Sequence, residues 1–145
     1  MSESTHFEVA DTAYRLTLAP PSAEAFVTLR AVAGMGERSL TAARAGLPGS
    51  LWAVTIHSGD ALVAMGRVVG DGGLNYEIVD IAVHPDHQRR GLGRRVMEAL
   101  MTPLRAEAPA TAYVSLIADG GSPALYAEFG FEPTAPVSIG MALKL

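Results

Sequence analysis

The sequence predicts an α/β (α+β) fold, a central mixed sheet of six or seven strands flanked by about four helices. Three observations carry that expectation. From Leu51 the apolar pattern leaves helical spacing for strand-like runs, punctuated by Ser58-Gly59-Asp60 and Asp71-Gly72-Gly73, so that three successive strands should be antiparallel. The run Tyr76–Val83 then passes through a His84-Pro85 turn into a segment with Leu92, Val96, Leu100 and Leu104 on one helical face. A further apolar run, Thr111–Ala118, follows that helix and should lie parallel to Tyr76–Val83 through a right-handed crossover.

In chain order, residues 1–12 are polar and read as a flexible end, with a single domain over 13–145. Tyr14–Leu18 alternates apolar and polar side chains and reads as a first strand, stopped by Pro20-Pro21. Ser22 caps a helix carrying Phe26, Leu29 and Ala33, which Gly34 ends, and a second short helix runs from Ser39 to Gly46. Leu51–Ile56, Ala61–Val69 and Tyr76–Val83 are the antiparallel strands. Gly91 or Gly93 opens the long helix, and Pro103 should kink it or end it near Met101. Ser122-Pro123 starts a last short helix closed by Gly130, and Phe131 with Ile139–Leu145 supplies one or two final strands.

Composition excludes several classes of function. At 49% hydrophobic residues and a mean hydropathy of +0.24, the chain can fill a core and is not disordered. No apolar run approaches the roughly 18 residues that span a bilayer, so no membrane partner is expected. The first residues lack the basic-then-apolar order of an export signal, which makes the cytoplasm the expected location. Without cysteine there is no disulfide, thiolate metal site or cysteine nucleophile. His84 and His87 offer two imidazoles but no further ligands, so no metal is expected. The net charge of −4 argues against general nucleic-acid binding.

Against that acidic background, four of eleven basic residues, Arg89, Arg90, Arg94 and Arg95, fall within seven positions. They lie in Gln88-Arg89-Arg90-Gly91-Leu92-Gly93-Arg94-Arg95, between a strand and a helix. Exposed N–H groups at a helix N-terminus, glycines that let the backbone approach, and guanidinium groups together favour a polyanion such as a phosphate. The segment is not a Walker loop, because the chain contains no Gly-Lys pair. It is not a dinucleotide fingerprint either, because Val96 stands where the third glycine belongs.

A strand ending Ala82-Val83-His84-Pro85, followed by Gln88-Arg-Arg-Gly-Leu-Gly93 and later by Leu125-Tyr-Ala-Glu-Phe-Gly-Phe131, resembles the acyl-CoA-binding signature of the GNAT superfamily of N-acetyltransferases. The likeness covers roughly residues 50–132 and is weak in the first 50, which in that family shape the acceptor pocket. It implies acetyl-CoA as co-substrate, its pyrophosphate held by Gln88, Arg89, Arg90, Gly91, Leu92, Gly93 and Arg94. It implies a central strand that splays from its parallel neighbour, so that backbone groups of Ile81, Ala82 and Val83 face the thioester and pantetheine. Asp119 and Tyr126 would complete the cofactor contacts, with Asp119 standing where many relatives have asparagine. Homodimers are common among such proteins, and the resemblance allows one here.

Direct transfer of an acetyl group to a primary amine needs a base and an acid. A lysine-like amine with a pKa of about 10.4 is neutral at pH 7 in roughly one molecule in 2,500, or about 4.6 kcal/mol of barrier without a base. Glu77, eleven positions before Gln88, is the expected base, as in several GNAT enzymes, and Asp80 is the rival. Strict strand alternation would put these two carboxylates on opposite faces, where they cannot converge on one amine. Tyr126 is the expected acid for the leaving thiolate, a step worth about 2 kcal/mol at pH 7. Acceptors remain open among small amines, aminoglycoside-like molecules and protein amines; the acidic balance favours a cationic one. The alternative is a non-catalytic acyl-CoA sensor or interaction module on the same fold. Trp52, Phe129 and Phe131 read as core, and Ser115 and Ser122 have no His–Asp partners in view.

Overall fold

The structure, a computed structural model, describes residues 3–119 and 122–145. Six strands form one sheet in the order β1-β2-β3-β4-β5-β6: β1 (Ser4–Val9), β2 (Thr12–Thr17), β3 (Trp52–Ser58), β4 (Ala61–Gly70), β5 (Asn75–Val83) and β6 (Tyr113–Ser115). All neighbours are antiparallel except β5 and β6. Four α-helices flank the sheet: α1 (Ala23–Val32), α2 (Leu40–Gly46), α3 (Leu92–Glu107) and α4 (Pro123–Ala127). The expected sheet and helix numbers therefore hold.

Each face of the sheet buries one helical layer. Leu92, Val96, Met97, Leu100, Met101 and Leu104 of α3 lie against Val54, Ile56, Val68, Tyr76 and Ile78. Phe26 and Leu29 of α1, with Ala43 of α2, pack on the other face against Met65 and Ala82. Ser22 and Ser39 cap α1 and α2 as their positions predict, accepting hydrogen bonds from the Ala25 and Ala42 N–H groups at 3.1 and 3.0 Å.

Three expectations need correction. Residues 4–9 are not a loose end: they pair with β2 from Ser4↔Thr17 to Val9↔Thr12, while Met1 and Ser2 lie outside the described residues. The turn between them uses Ala10 and Asp11, both at positive φ, the geometry a two-residue hairpin demands. No glycine or asparagine announces that turn. Pro103 does not end α3, which continues to Glu107, because buried Leu100, Met101 and Leu104 hold the helix to the sheet on both sides of it. That packing offsets the roughly 3 kcal/mol an interior proline costs. The final strands over Phe131 and 139–145 do not form. Val137, Ile139, Met141, Leu143 and Leu145 stand open along the tail, with no strand among the described residues beside them to complete a ladder.

The feature that positions the site is a bulge in β5. Arg67 pairs with Val79 and Met65 with Ala82, so one residue of β4, Gly66, faces two of β5, Asp80 and Ile81. Asp80 takes the strain at φ 58°. The close approach there needs a glycine, since a Cβ on Gly66 would stand 2.6 Å from Val96 Cγ1 and nearer still to Ile81 Cδ1. Gly66→Ala should therefore lower unfolding stability by about 1–3 kcal/mol through overpacking, read as a shifted urea midpoint at unchanged slope.

Candidate active site

The bulge changes which side chains share a face. Tyr76 and Ile78 belong to the α3 side of the core, and Ala82 to the α1 side. Glu77, Val79 and Asp80 all line the cleft on the α1–α2 side. Simple alternation, which separates Glu77 from Asp80, is thus overturned: the extra residue lets Asp80 follow Val79 onto the same face. The two carboxylates share one cleft.

Only Asp80 is tied down. Its Oδ1 accepts from Arg30 Nη1 at 2.5 Å and its Oδ2 from Arg67 Nε at 2.7 Å, and its side chain is 9% exposed. Both guanidinium groups also lie over the Phe26 ring, with Cζ 5.9 and 6.0 Å from its centroid. Arg30 fixes the loop after α1 as well, donating from Nε to the Gly36 carbonyl at 3.0 Å. A carboxylate clamped between two arginines is poorly placed to take a proton from a substrate. Half-buried Glu77 forms no ion pair among the described residues, so its carboxylate faces the cleft without a competitor.

Strand β6 is short, and its brevity opens the sheet. Parallel pairing ends at Glu77↔Ser115, and from Ile78 to Val83 no strand among the described residues lies on that side of β5. The wedge between them is a cleft of about 360 Å³ lined on one wall by Glu77, Asp80 and Ile81 and on the other by Leu116, Ile117, Asp119 and Tyr126. A second recess of about 350 Å³ beside α2 shares Arg38, Glu77, Val79 and Asp80 with it, which makes the two one continuous groove. Tyr126 is buried on α4, and that burial, with the negative charge of Asp119 adding to it, raises its phenol pKa above 10.0, against a Ser122 hydrogen bond that lowers it. The phenol is therefore protonated throughout the neutral range.

The helix-start loop is built differently from its sequence. Gly91 takes the positive φ of 76° that opens α3, and no side chain among the described residues caps that helix, so the N–H groups of its first turn remain available. Gln88 Nε2 donates to the Val83 carbonyl at 3.3 Å and closes the loop onto β5. The arginines do not act together. Arg90 reaches back to β2, donating to Tyr14 Oη at 2.7 Å and Thr12 Oγ1 at 2.9 Å. Arg95 lies 3.8 Å above the Phe7 ring, and Arg94 forms a two-toothed contact with Glu128 of α4 at 3.0 Å. Arg89 alone stands exposed at positive φ with no side-chain partner among the described residues. Arg90 is thus an anchor of the loop, not an arm extended to a ligand. His87 belongs to the same anchor: its Nδ1 lies 2.7 Å from Tyr14 Oη, and burial together with Arg90 lowers its pKa, which keeps the ring neutral and able to accept. His84 turns inward to accept from the Asp86 N–H, and no group of three metal-ligating side chains occurs among the described residues.

Sequence reasoning named Glu77, Ile81, Asp119 and Tyr126, which the structure brings to one cleft, whereas Ala82, Val83 and Gln88–Arg94, also named, do not line it. It missed Arg30, Arg38 and Arg67. The signal available was an arginine inside each of two apolar patterns, Arg30 on the buried face of α1 and Arg67 in the run Leu62–Val69.

An uncapped start of α3, a strand parted from its neighbour, and one cleft lined by both Glu77 and Tyr126 characterise the site. Residues 48–133, more than half of the chain, match the family described as acetyltransferase (GNAT) domain. The chain belongs to the GNAT acetyltransferase family. A solved structure of a protein of unknown function, a probable acetyltransferase from methicillin-resistant Staphylococcus aureus, is 42% identical with a TM-score of 0.88, over 91% of this chain and 99% of that one. A GNAT family acetyltransferase from Streptococcus pneumoniae shares the fold at 24% identity and a TM-score of 0.67, over 90% and 97% of the two chains. Among curated proteins, serotonin N-acetyltransferase 2, chloroplastic, of Oryza sativa is 36% identical over 80 residues, which is 55% of this chain and 39% of that protein. An uncharacterized N-acetyltransferase of Porphyra purpurea is 36% identical over 74 residues, 51% and 41% of the two. The chain thus spans about two fifths of the length of the curated relatives it matches.

Burial of Tyr126 has a measurable consequence. Between the ordinary tyrosine value of 10.0 and its own higher value, the unfolded chain sheds this proton and the folded chain keeps it. Stability should fall as pH rises through that window. The Tyr126→Phe variant should lose a late phase from the absorbance titration of the phenols.

Proposed function

We propose that the protein transfers an acetyl group from acetyl-CoA directly to a primary amine, with Glu77 as base and Tyr126 as acid. The observation that carries this reading is the single cleft where β5 leaves β6, lined at once by Glu77, Ile81 and Tyr126. When bound, acetyl-CoA supplies an activated acyl carbon and a thiolate leaving group. The uncapped first turn of α3, with Gly91 in its left-handed conformation and Arg89 exposed beside it, fits a diphosphate. Backbone groups of Ile81, Ala82 and Val83 along the unpaired edge of β5 fit the pantetheine amides and polarise the thioester carbonyl.

The proton balance then closes on two side chains. Glu77 takes a proton from the acceptor ammonium, so that the nitrogen lone pair is free to form the N–C bond. As the C–S bond breaks, the Tyr126 phenol gives its proton to sulfur. Glu77 returns the first of the acceptor's protons to water, and the second, shed by the nitrogen as the tetrahedral adduct collapses to the amide, passes to solvent and makes good the proton that the phenol gave to sulfur. Asp80 holds the strand rather than a proton.

The decisive experiment is a panel of amines assayed for free CoA release, run beside calorimetry with acetyl-CoA. Release with an amine and acetyl-CoA binding in the micromolar range support the reading. Binding without release from any amine would instead favour the sensor alternative. In an active enzyme, Glu77→Gln should lower kcat at pH 7 by at least tenfold and recover partly at pH 9, where more amine is already neutral. A loss independent of pH would make Glu77 structural. Tyr126→Phe should reduce kcat severalfold while leaving acetyl-CoA affinity within about twofold, and unchanged turnover would remove the acid role.

A further inference from the structure

The acceptor end of the groove holds more positive charge than its carboxylates use. Both oxygens of Asp80 are engaged, yet Arg30 keeps a second terminal nitrogen that points toward the loop between α1 and α2. The place a Cβ on Gly36 would occupy lies 3.6 Å from that Nη2 of Arg30, 3.6 Å from Nη1 of Arg38 and 3.9 Å from Nζ of Lys144. Three cationic nitrogens, from α1, from the α1–α2 loop and from the C-terminal tail, thus surround one small space. Gly36 puts no side chain into it.

Arg30 shares Asp80 with Arg67, and the other two cations have no acidic partner among the described residues. Arg38 donates only to the backbone carbonyl of Glu37, at 3.1 Å, and no carboxylate lies within 4.0 Å of Arg38 or Lys144 among the described residues. Like charges gathered this closely repel one another, and an anion between them removes the repulsion. Guanidinium groups offer paired donors to a carboxylate or a phosphate, and an ammonium adds a point charge. Arg38 also lines the groove together with Glu77. An anion held at Arg38 and Lys144 would leave the remainder of the same molecule in reach of the base.

We infer that the acceptor is an amine that also carries a carboxylate or a phosphate, gripped by Arg38 and Lys144 with Arg30 behind them. This rests on the acetyl-transfer reading above and narrows its substrate class. It reverses the preference for a cationic acceptor drawn from the net charge of −4. The local cluster decides, because screening confines the field of distant carboxylates to about 8 Å at physiological ionic strength.

The test compares matched acceptors at equal concentrations of free amine: phosphoethanolamine with ethanolamine, β-alanine with its carboxamide, and spermidine as a purely cationic acceptor. The expected result is a kcat/KM at least about tenfold higher for the anionic member of one pair, expressed mainly in KM, and the pair that shows it tells phosphate from carboxylate. Arg38→Gln and Lys144→Gln, both at exposed positions, should each raise KM for that acceptor severalfold and bring the pair toward parity. Turnover of ethanolamine or spermidine equal to or better than the anionic acceptors would overturn the anion grip and leave acetyl transfer standing. CoA release with no amine at all would overturn both.

Discussion

The arrangement depends on one buried carboxylate. Asp80 sits at the bulge of β5 with a guanidinium on each oxygen, one from α1 and one from β4. Two charges drawn from water are stabilising only when their partners are in place, and removing one partner of such a group typically costs about 3–5 kcal/mol. Here the ion pairs hold a backbone conformation that strand geometry does not favour. The left-handed turn at Asp80 brings Glu77, Val79 and Asp80 to one wall and sends Ile81 toward α3. Without it, the open edge of β5 would present different residues to the cleft.

A second constraint is the brevity of β6. Three paired residues hold β5 and β6 together at one end, and the remaining edge of β5 is left without a neighbour. Unpaired backbone groups along a strand recruit other strands, and in this fold they border a cleft instead. The loop from His84 to Gly91 joins that edge to the start of α3, so amide donors of a strand edge and of a helix start follow one another in the chain. The Tyr14–His87–Arg90 contacts and the Arg94–Glu128 pair fix this loop to β2 and α4. Most of the loop's positive charge therefore serves to hold it in position, which leaves its backbone N–H groups and Arg89 open.

Much of this was legible from residues alone. The apolar periods of α3 and of β3 to β5, the serine caps of α1 and α2, and the Gln88–Gly93 loop are local signals, and local physics writes them into the chain. Glu77 and Tyr126 were singled out by their places in the GNAT resemblance, and both line the cleft. The bulge was not legible: alternation assumes one residue per step, and the extra residue depends on Gly66 of the neighbouring strand. Nor was the fate of the arginines, since adjacency in sequence does not tell which way side chains point around a helix start. Arg30 and Arg67 meet Asp80 from 50 and 13 residues away, and the N-terminal hairpin turns on Ala10-Asp11 without the usual residues. Each of these rests on long-range packing or on an uncommon backbone choice.

The central claim, that Asp80 holds the cleft and takes no proton, is tested most directly by the pH profile of kcat for Asp80→Asn, with folding checked by circular dichroism. The account predicts a folded protein whose acetyl-CoA affinity is largely kept and whose kcat is lowered by the same factor from pH 7 to pH 9. Unchanged kcat, or a loss that recovers as the pH rises, would contradict it.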